Sequence, residues 1–328
     1  MKVLKMPGTD PYLNLATEDY ILTNLTQGDY LLLWRNNNTI VVGLHQNTQE
    51  EINSVFVEER KVSVVRRRTG GGAVYHDLGN LNFSFITDAR EAALITMERF
   101  TLPIVEALRE MGLEAEASGR NDILVGGKKV SGNAQALLRG RILHHGTLLF
   151  NSDLSVLSQA LKVKPEKFLS KSVKSVRGRV GNISEFLQEP MSVEEFGDRI
   201  LACVSRNSQA EELVFSPEER AAIQDLRDSR YLTWEWNFGR SPKFNFHNIE
   251  KYDGGFLELF LDVREGVIDS CAFYGDFMAL RPAAEVAEKL TGARYERGAV
   301  AAILAALPLG EYFGTLDLED ILDCMFNM

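Results

Sequence analysis

The sequence predicts a mixed α+β fold in two units, and three observations carry that reading. Strand-like and helix-like stretches follow one another without the regular alternation of a doubly wound parallel sheet, which points to a largely antiparallel or mixed sheet. Two serine-led helix starts lie in the second half of the longer unit. Near Pro242 the pattern changes to a hairpin, a third strand and three short helices. That last piece spans about 80 residues, enough to fold by itself. The boundary is expected at residues 243–246, giving units 1–243 and 246–328.

The elements follow in order. Residues 14–25 bring Leu15, Ala16, Tyr20 and Ile21 to helical spacing. Residues 30–34, 39–43 and 61–66 are apolar runs of strand length, and Asn36-Asn37-Asn38 turns between the first two. Residues 82–86 add another strand. Helical spacing over 94–111 closes at Gly112, and Pro103 is expected to kink this helix or mark a restart. Residues 122–125 turn at Gly126-Gly127 and return through Lys128-Lys129-Val130 as a hairpin, and 141–150 read as a mostly buried strand. Ser192 with Glu195 opens a capping-box helix to about Val204. Ser216-Pro217-Glu218-Glu219 combines an N-cap, a first-position proline and an acid at the third. In the second unit, 243–252 and 255–264 pair across Asp253-Gly254, and 267–274 adds a strand. Helices at 283–290, 298–307 and 316–326 complete it.

Composition excludes several classes. The 328 residues are 45% hydrophobic and 25% charged, as in a soluble globular protein. No apolar run approaches the ~18 residues of a membrane span, and the first residues lack a signal-peptide core. Cys203, Cys271 and Cys324 are odd in number and form no motif, as expected of thiols in a reducing cytoplasm. A formal charge of −10 argues against nucleic-acid binding. Against that background residues 162–179 hold seven basic side chains and one acid, Glu166, a run suited to phosphate or an acidic partner.

Three segments carry the chemistry. RRRTGGGAVYHDLGN at 66–80 sets three guanidinium groups before three glycines. Glycine lets backbone amides approach an anion, and arginine offers a fork of donors to phosphate or carboxylate. The loop is neither GxxxxGK[ST] nor GxGxxG, so the phosphate-loop and dinucleotide fingerprints are absent. In GRNDILVGGKKVSGNAQ at 119–135, strand alternation sends Lys128 and Lys129 to opposite faces, so one of them can meet a given pocket. A strand lysine is usually solvated. Here the small residues Ser131, Gly132, Asn133 and Ala134 leave room beside an ammonium group for a carbonyl or phosphate oxygen. In HHGTLLFN at 144–151, adjacent histidines on a strand face opposite ways and cannot chelate one ion, so packing or hydrogen bonding is the better reading.

These segments, in this order, resemble the lipoate–protein ligase family, of the two-domain, ATP-dependent kind within the biotin/lipoate ligase superfamily. The family patterns RRxSGGGAVFHDxGN, GRNDxxxxxKKVSGxA and HHGTLLxxxD are matched nearly letter for letter. The likeness continues through 171–180 and 236–244. Leu44 stands where the family often has arginine, and Gly178 where it often has serine. The resemblance implies a catalytic domain of the class II synthetase/biotin ligase type with a mixed or antiparallel sheet, followed by a small α+β accessory domain. It also implies that the basic run belongs to a loop over the nucleotide.

The implied activity is lipoate activation with ATP to lipoyl-AMP, then transfer of the lipoyl group to a carrier lysine. Lys129 would bridge the lipoyl carbonyl and α-phosphate, and Arg67 would grip the phosphates. Gly72, Ala73, Val74 and Tyr75 would offer backbone amides to the nucleotide. Asn121 and Asp122 would lie beside it, with Asp122 the candidate Mg2+ ligand. Trp34, Val42, Gly71, His76 and His145 would line the lipoate slot. ATP and Mg2+ are the implied cofactors. The implied partners are lipoate and apo lipoyl carriers, either the glycine cleavage H protein or the 2-oxoacid dehydrogenase acyltransferase domains. A cytoplasmic monomer with no nucleic-acid or membrane partner is expected. A lipoyl or octanoyl transferase on the same fold would use a cysteine nucleophile, and no cysteine precedes Cys203. The lysine and histidine segments follow the lipoate rather than the biotin pattern, and the intact Arg67, glycines and Lys129 oppose a non-enzymatic binding module.

Overall fold

The structure, a computed structural model, describes residues 1–46, 48–89, 96–119, 121–161, 179–206, 208–238, 246–264 and 266–326. Strand β1 (Lys2–Lys5) leads to α1 (Pro11–Asn24), whose cap Asp10 accepts from the Tyr12 and Leu13 amides and whose first position is proline. β2 (Tyr30–Trp34) and β3 (Thr39–Val42) follow, then a single turn at Thr48–Glu51 and α2 (Ser54–Arg60). That helix ends on Lys61 at φ 51°, so the next strand, β4 (Ser63–Arg66), starts later than the apolar run implied. β5 (Val74–His76), β6 (Asn80–Asp88), α3 (Met97–Glu110), β7 (Ala115–Ser118), β8 (Asp122–Val125), β9 (Lys128–Leu138) and β10 (Arg141–Leu149) continue the unit. Helix α3 runs through Pro103 without restarting, because Phe100, Ile104, Val105 and Leu108 bury its face on both sides of the lost amide.

After α4 (Leu154–Ala160) come α5 (Val193–Ser205), β11 (Glu211–Glu212), α6 (Pro217–Leu226) and the short α7 (Trp234–Asn237). Both α5 and α6 begin with capping boxes, at Ser192/Glu195 and Ser216/Glu219. The remaining elements are β12 (Phe246–Tyr252), β13 (Gly255–Arg264), β14 (Val267–Gly275) and α8 (Ala284–Leu290), then α9 (Arg297–Ala305), α10 (Leu309–Phe313) and α11 (Leu318–Phe326). Gly314, at φ 67°, separates α11, which falls within the helix expected over 316–326, from α10, a short helix not expected from the sequence.

Three sheets organise the chain. An eight-stranded sheet has the order β11-β1-β2-β6-β10-β9-β8-β7, parallel at its β11-β1-β2 end and antiparallel from β2 onward. It is mixed, as the irregular succession of elements predicts. A small sheet, β4-β3-β5, combines one parallel and one antiparallel pairing. The third sheet, β12-β13-β14, is antiparallel and packs on its own cluster of Leu257, Leu259, Phe273, Phe313 and Ile321.

Strand alternation gives the large sheet two unlike faces. Leu33, Leu81, Phe83 and Leu148 meet Ile104, Leu108, Phe196 and Ile200 of α3 and α5. Leu32, Trp34, Ile86 and Leu143 meet α1, and with it Val41 and Val65 of the small sheet. The gap between the second face and the small sheet holds the cavity.

Candidate active site

The cavity takes Trp34, Asn82, His145, Ala134 and Thr147 from the large sheet, Val41, Val74 and His76 from the small one, and Arg67, Gly71, Gly72 and Ala73 from the loop between β4 and β5. It has a deep end and a mouth. Trp34 and His76 are each 3% exposed, whereas the Lys129 side chain is 38% exposed.

The three consecutive arginines do three different things. Arg66 is buried and turned from the cavity, donating to the carbonyls of Gly43, Leu44 and Gln46 and to those of Trp236 and Asn237. Arg68 is paired with the buried Asp19 at 2.7 Å and lies over the Trp236 ring. Arg67 alone reaches the cavity, and it laces the glycine loop together. Its Nε donates to Thr69 Oγ1 at 2.9 Å, Nη1 to the Val41 carbonyl at 3.1 Å, and Nη2 to the carbonyls of Gly70 and Gly72 at 2.6 and 2.9 Å. Burial, with a smaller effect from Arg66, lowers its pKa to about 10, so it stays cationic at neutral pH. The loop fits tightly: Gly71 sits at φ 85°, and a Cβ on Gly43 would stand 2.0 Å from the Gly71 carbonyl oxygen.

Lys129 stands at the mouth on β9. A bulge opposite Ile123/Leu124 follows it, and its Nζ lies 2.6 Å from Asp122 Oδ1. Its neighbour Lys128 faces the other way, to Glu185 and the Phe186 ring. Gly132 gives the ammonium space, since a Cβ there would touch it at 3.5 Å. Asn121 and Asn133 clasp the turn between them: each side-chain amide donates to the other residue's carbonyl, at 2.8 and 2.9 Å.

Behind the wall runs a chain of buried polar groups. The Ser84 hydroxyl donates to Glu18 Oε1 at 2.6 Å and receives the Trp34 indole N–H at 2.8 Å. His145 Nδ1 donates to the same carboxylate at 2.9 Å, and its Nε2 accepts from the Thr69 hydroxyl at 2.7 Å. Thr69 in turn receives Arg67, so Glu18 orients the tryptophan, the histidine and the arginine of the wall at once. His144, on the opposite face, packs on Phe100 with ring centroids 4.9 Å apart and bonds Gln135 and Asn133. Burial lowers its pKa to about 3. The two histidine rings bond different partners on opposite sides of β10, and among the described residues no three His, Cys, Asp or Glu side chains are grouped to hold a metal ion.

The third sheet reaches this site through residues 275–280. Gly71 donates to the Phe277 carbonyl at 3.2 Å, Gly275 to that of His45 at 2.7 Å, and Leu137 to that of Leu280 at 2.7 Å. The His45 ring stacks on Phe277 at 5.0 Å, and Met278 Sδ lies 3.9 Å from the Asn121 amide.

Of the residues singled out in the sequence, Lys129, Arg67, Asn121, Gly71, Gly72, Ala73, Val74, Trp34, His76 and His145 meet around this one cavity. Three do not reach its wall. Val42 is one register step off: alternation turns it with Ile40 into a separate cluster, and Val41 takes the wall. Tyr75 packs beside that cluster, its hydroxyl on Asn38 Oδ1 at 3.0 Å. Asp122 holds the Lys129 ammonium rather than facing the cavity. The basic run at 162–178 lies outside the described residues. Glu18 and Ser84 went unrecognised in the sequence, Thr69 stood unremarked inside the glycine-loop motif, and Asn133 was expected only as a small residue beside the lysine; the one available signal for Glu18 was the acid pair Glu18-Asp19 among Leu15, Ala16, Ile21 and Leu22 of the helix.

Comparison with known proteins gives a consistent picture. The model of the "Lipoyl protein ligase A/B catalytic domain" matches residues 10–205, and that of the "Bacterial lipoate protein ligase C-terminus" matches 241–325. Lipoate-protein ligase LplJ of Bacillus subtilis is 44% identical over 321 residues, covering 97% of each chain. Among solved structures, LipL1 of P. falciparum in complex with lipoate is 26% identical with a TM-score of 0.78, covering 98% of this chain and 97% of that one. The bi-partite lipoate protein ligase of Thermoplasma acidophilum, described with its E2 lipoyl domain, is 32% identical with a TM-score of 0.66, covering 75% and 98%. A lipoate-protein ligase A bound with ATP is 30% identical with a TM-score of 0.62, covering 73% and 98%.

Proposed function

The chain belongs to the lipoate–protein ligase family, and we propose on that footing which of its residues run the two half-reactions. It is a ligase that activates lipoate with ATP and transfers the lipoyl group to a lysine of a lipoyl-carrier protein. In the first step a carboxylate oxygen attacks the α-phosphorus of ATP and the bond to the β-phosphate breaks, releasing pyrophosphate. In the second the carrier amine attacks the acyl carbon, the mixed anhydride breaks, and AMP leaves with its electron pair. Negative charge moves in both steps, so positioning and electrostatic stabilisation supply most of the catalysis.

The observation that carries the assignment is one cavity with an ammonium at its mouth, a guanidinium-laced glycine loop along its side and an indole at its floor. Lys129 serves as the bridge between lipoyl carbonyl and α-phosphate, an interaction that strengthens as charge develops. Asp122 holds that ammonium at the mouth. Arg67 has four of its five N–H groups committed to Thr69 and to loop and strand carbonyls, leaving one for a ligand oxygen. Its main work is to keep the loop amides of Gly72, Ala73 and Val74 aimed at the nucleotide.

Mg2+ commonly binds through one or two carboxylates plus substrate phosphates, and Asp122 is a carboxylate of that sort with Lys129 competing for its oxygen. Bound there with ATP, the ion would neutralise phosphate charge. The carriers we propose are the glycine cleavage H protein and the acyltransferase domains of 2-oxoacid dehydrogenases. We further propose a cytoplasmic monomer divided into units 1–243 and 246–328; among the described residues no helix is long and apolar enough to cross a membrane. A thioester-forming transferase finds no support, since none of the three thiols lines the cavity, and burial raises the pKa of Cys324 to about 12.

The test is direct. Protein incubated with ATP, Mg2+, lipoate and apo carrier domains is expected to yield AMP and a lipoyl adduct by mass spectrometry. Lys129→Ala is expected to lower both half-reactions by at least about 100-fold with the fold intact. Turnover like wild type in that variant would sink the assignment.

A further inference from the structure

One buried donor in the cavity wall has no acceptor. His76 is 3% exposed, and its Nε2 is unpartnered among the described residues. The network behind it fixes which nitrogen carries the proton. Asn14 Nδ2 donates to Asn36 Oδ1 at 3.0 Å, which turns the Asn36 amide nitrogen toward His76 Nδ1 at 3.2 Å. Nδ1 is therefore an acceptor, and the neutral ring must carry its hydrogen on Nε2. Burial, with Arg67 and His145 adding to it, lowers the ring's pKa to about 3 and keeps it in that neutral state.

The donor belongs to the deep end of the cavity. ATP must meet the acid's carboxylate at the solvent-facing mouth beside Lys129, so the other end of the acid lies against Trp34, Val41 and His76. The remaining polar side chains there are already engaged: Asn82 bonds Asn80 and the Trp34 carbonyl, and His145 bonds Glu18 and Thr69. A plain alkyl tail would leave the His76 N–H without an acceptor. A sulfur atom is a weak acceptor of suitable size and polarisability.

We propose that His76 Nε2–H donates a hydrogen bond to a ring sulfur of the bound lipoyl group and so sets the preference of this pocket for a sulfur-bearing acid over a hydrocarbon one. This rests on the ligase reading above and adds a determinant of acyl specificity to it.

The experiment compares kcat/KM for adenylate formation, read as pyrophosphate release, with lipoate and with 5-cyclopentylpentanoate, which keeps the ring and chain and replaces both sulfurs by methylene groups. Wild type is expected to favour lipoate by about 10-fold (about 1.4 kcal/mol), chiefly through KM. His76→Phe is expected to bring that ratio to about one, and His76→Gln, which retains an N–H, to recover most of it. Equal use of the two acids by the wild-type protein, or an unchanged ratio in His76→Phe, overturns the proposal, and the wild-type comparison stands even where a variant fails to fold. Activation of neither acid by wild type would overturn the ligase reading itself.

Discussion

Replacing Glu18 by glutamine removes one charge from beneath the cavity while keeping the side chain's shape. The carboxylate is 2% exposed and takes hydrogen bonds from Ser84 at 2.6 Å and His145 at 2.9 Å. Both donors meet Oε1, which a glutamine carbonyl oxygen can replace, but the second oxygen, 3.1 Å from His145 Nδ1, becomes an NH2 that faces this buried N–H, at about 1–3 kcal/mol. The change also removes the carboxylate that most favours the buried Arg67 cation. A buried charge stripped of a direct partner costs about 3–5 kcal/mol, and Glu18 acts on Arg67 only through His145 and Thr69, so the low side of that range is the ceiling. The expected loss is about 3 kcal/mol, or a melting point lower by about 6 °C for a unit of this size. Because the same chain aligns His145, Thr69 and Arg67, lipoate affinity should fall about 10-fold. Calorimetric titration with lipoate and a thermal melt read the two effects separately. Asp198→Asn breaks the surface pair with Lys5, in which the acid is 62% exposed, and serves as the control, with a change below about 1 kcal/mol. Wild-type affinity and melting point in Glu18→Gln would refute the claim that this network holds the pocket.

Other perturbations test neighbouring parts of the argument. Gly43→Ala would put a methyl 2.0 Å from the Gly71 carbonyl and 3.3 Å from Arg67, so the loop must move by about 1 Å. A shift of that size costs on the order of 100-fold in turnover, and kcat/KM within threefold of wild type would refute the close fit. Arg67→Ala should raise the KM for ATP and, by freeing the Gly70 and Gly72 carbonyls, expose the loop to limited proteolysis; an unchanged digestion pattern would argue against the lacing role. Stability should also depend on pH. Burial holds His45, His76 and His144 neutral with pKa values of about 3. Below pH 6.5 the unfolded chain binds protons that these rings refuse, so stability falls as pH drops toward 3, by about 2 kcal/mol per histidine at pH 5. A urea midpoint that stays level between pH 7 and pH 5 would contradict this.

What the sequence revealed, and what it hid, follows from the range of the interactions involved. Capping boxes at Ser192 and Ser216 were legible because the groups that satisfy each helix end lie within three residues of one another. The facing of Lys128 and Lys129 was legible for the same reason: a period of two needs no knowledge of the partner strand. Val42 shows where that logic stops. The period says that Val41 and Val42 point apart, but which of them meets the cavity depends on how the small sheet lies on the large one, and no local pattern encodes that. The arginine triplet shows the same limit in chemical terms. Three identical side chains read as one phosphate-gripping cluster, yet one is spent on five carbonyls, one on Asp19, and one on the glycine loop. Their partners sit as far away as Asn237, and chain distance gives no hint of them. Glu18 is the hardest case, because its three clients come from β2, β6 and β10, which only the folded sheet brings together. A lone acid on a buried helix face is costly unless it is paired. In a sequence, then, a pair such as Glu18-Asp19 among Leu15, Ala16, Ile21 and Leu22 marks partners still to be found and merits the same scrutiny as a glycine-rich loop.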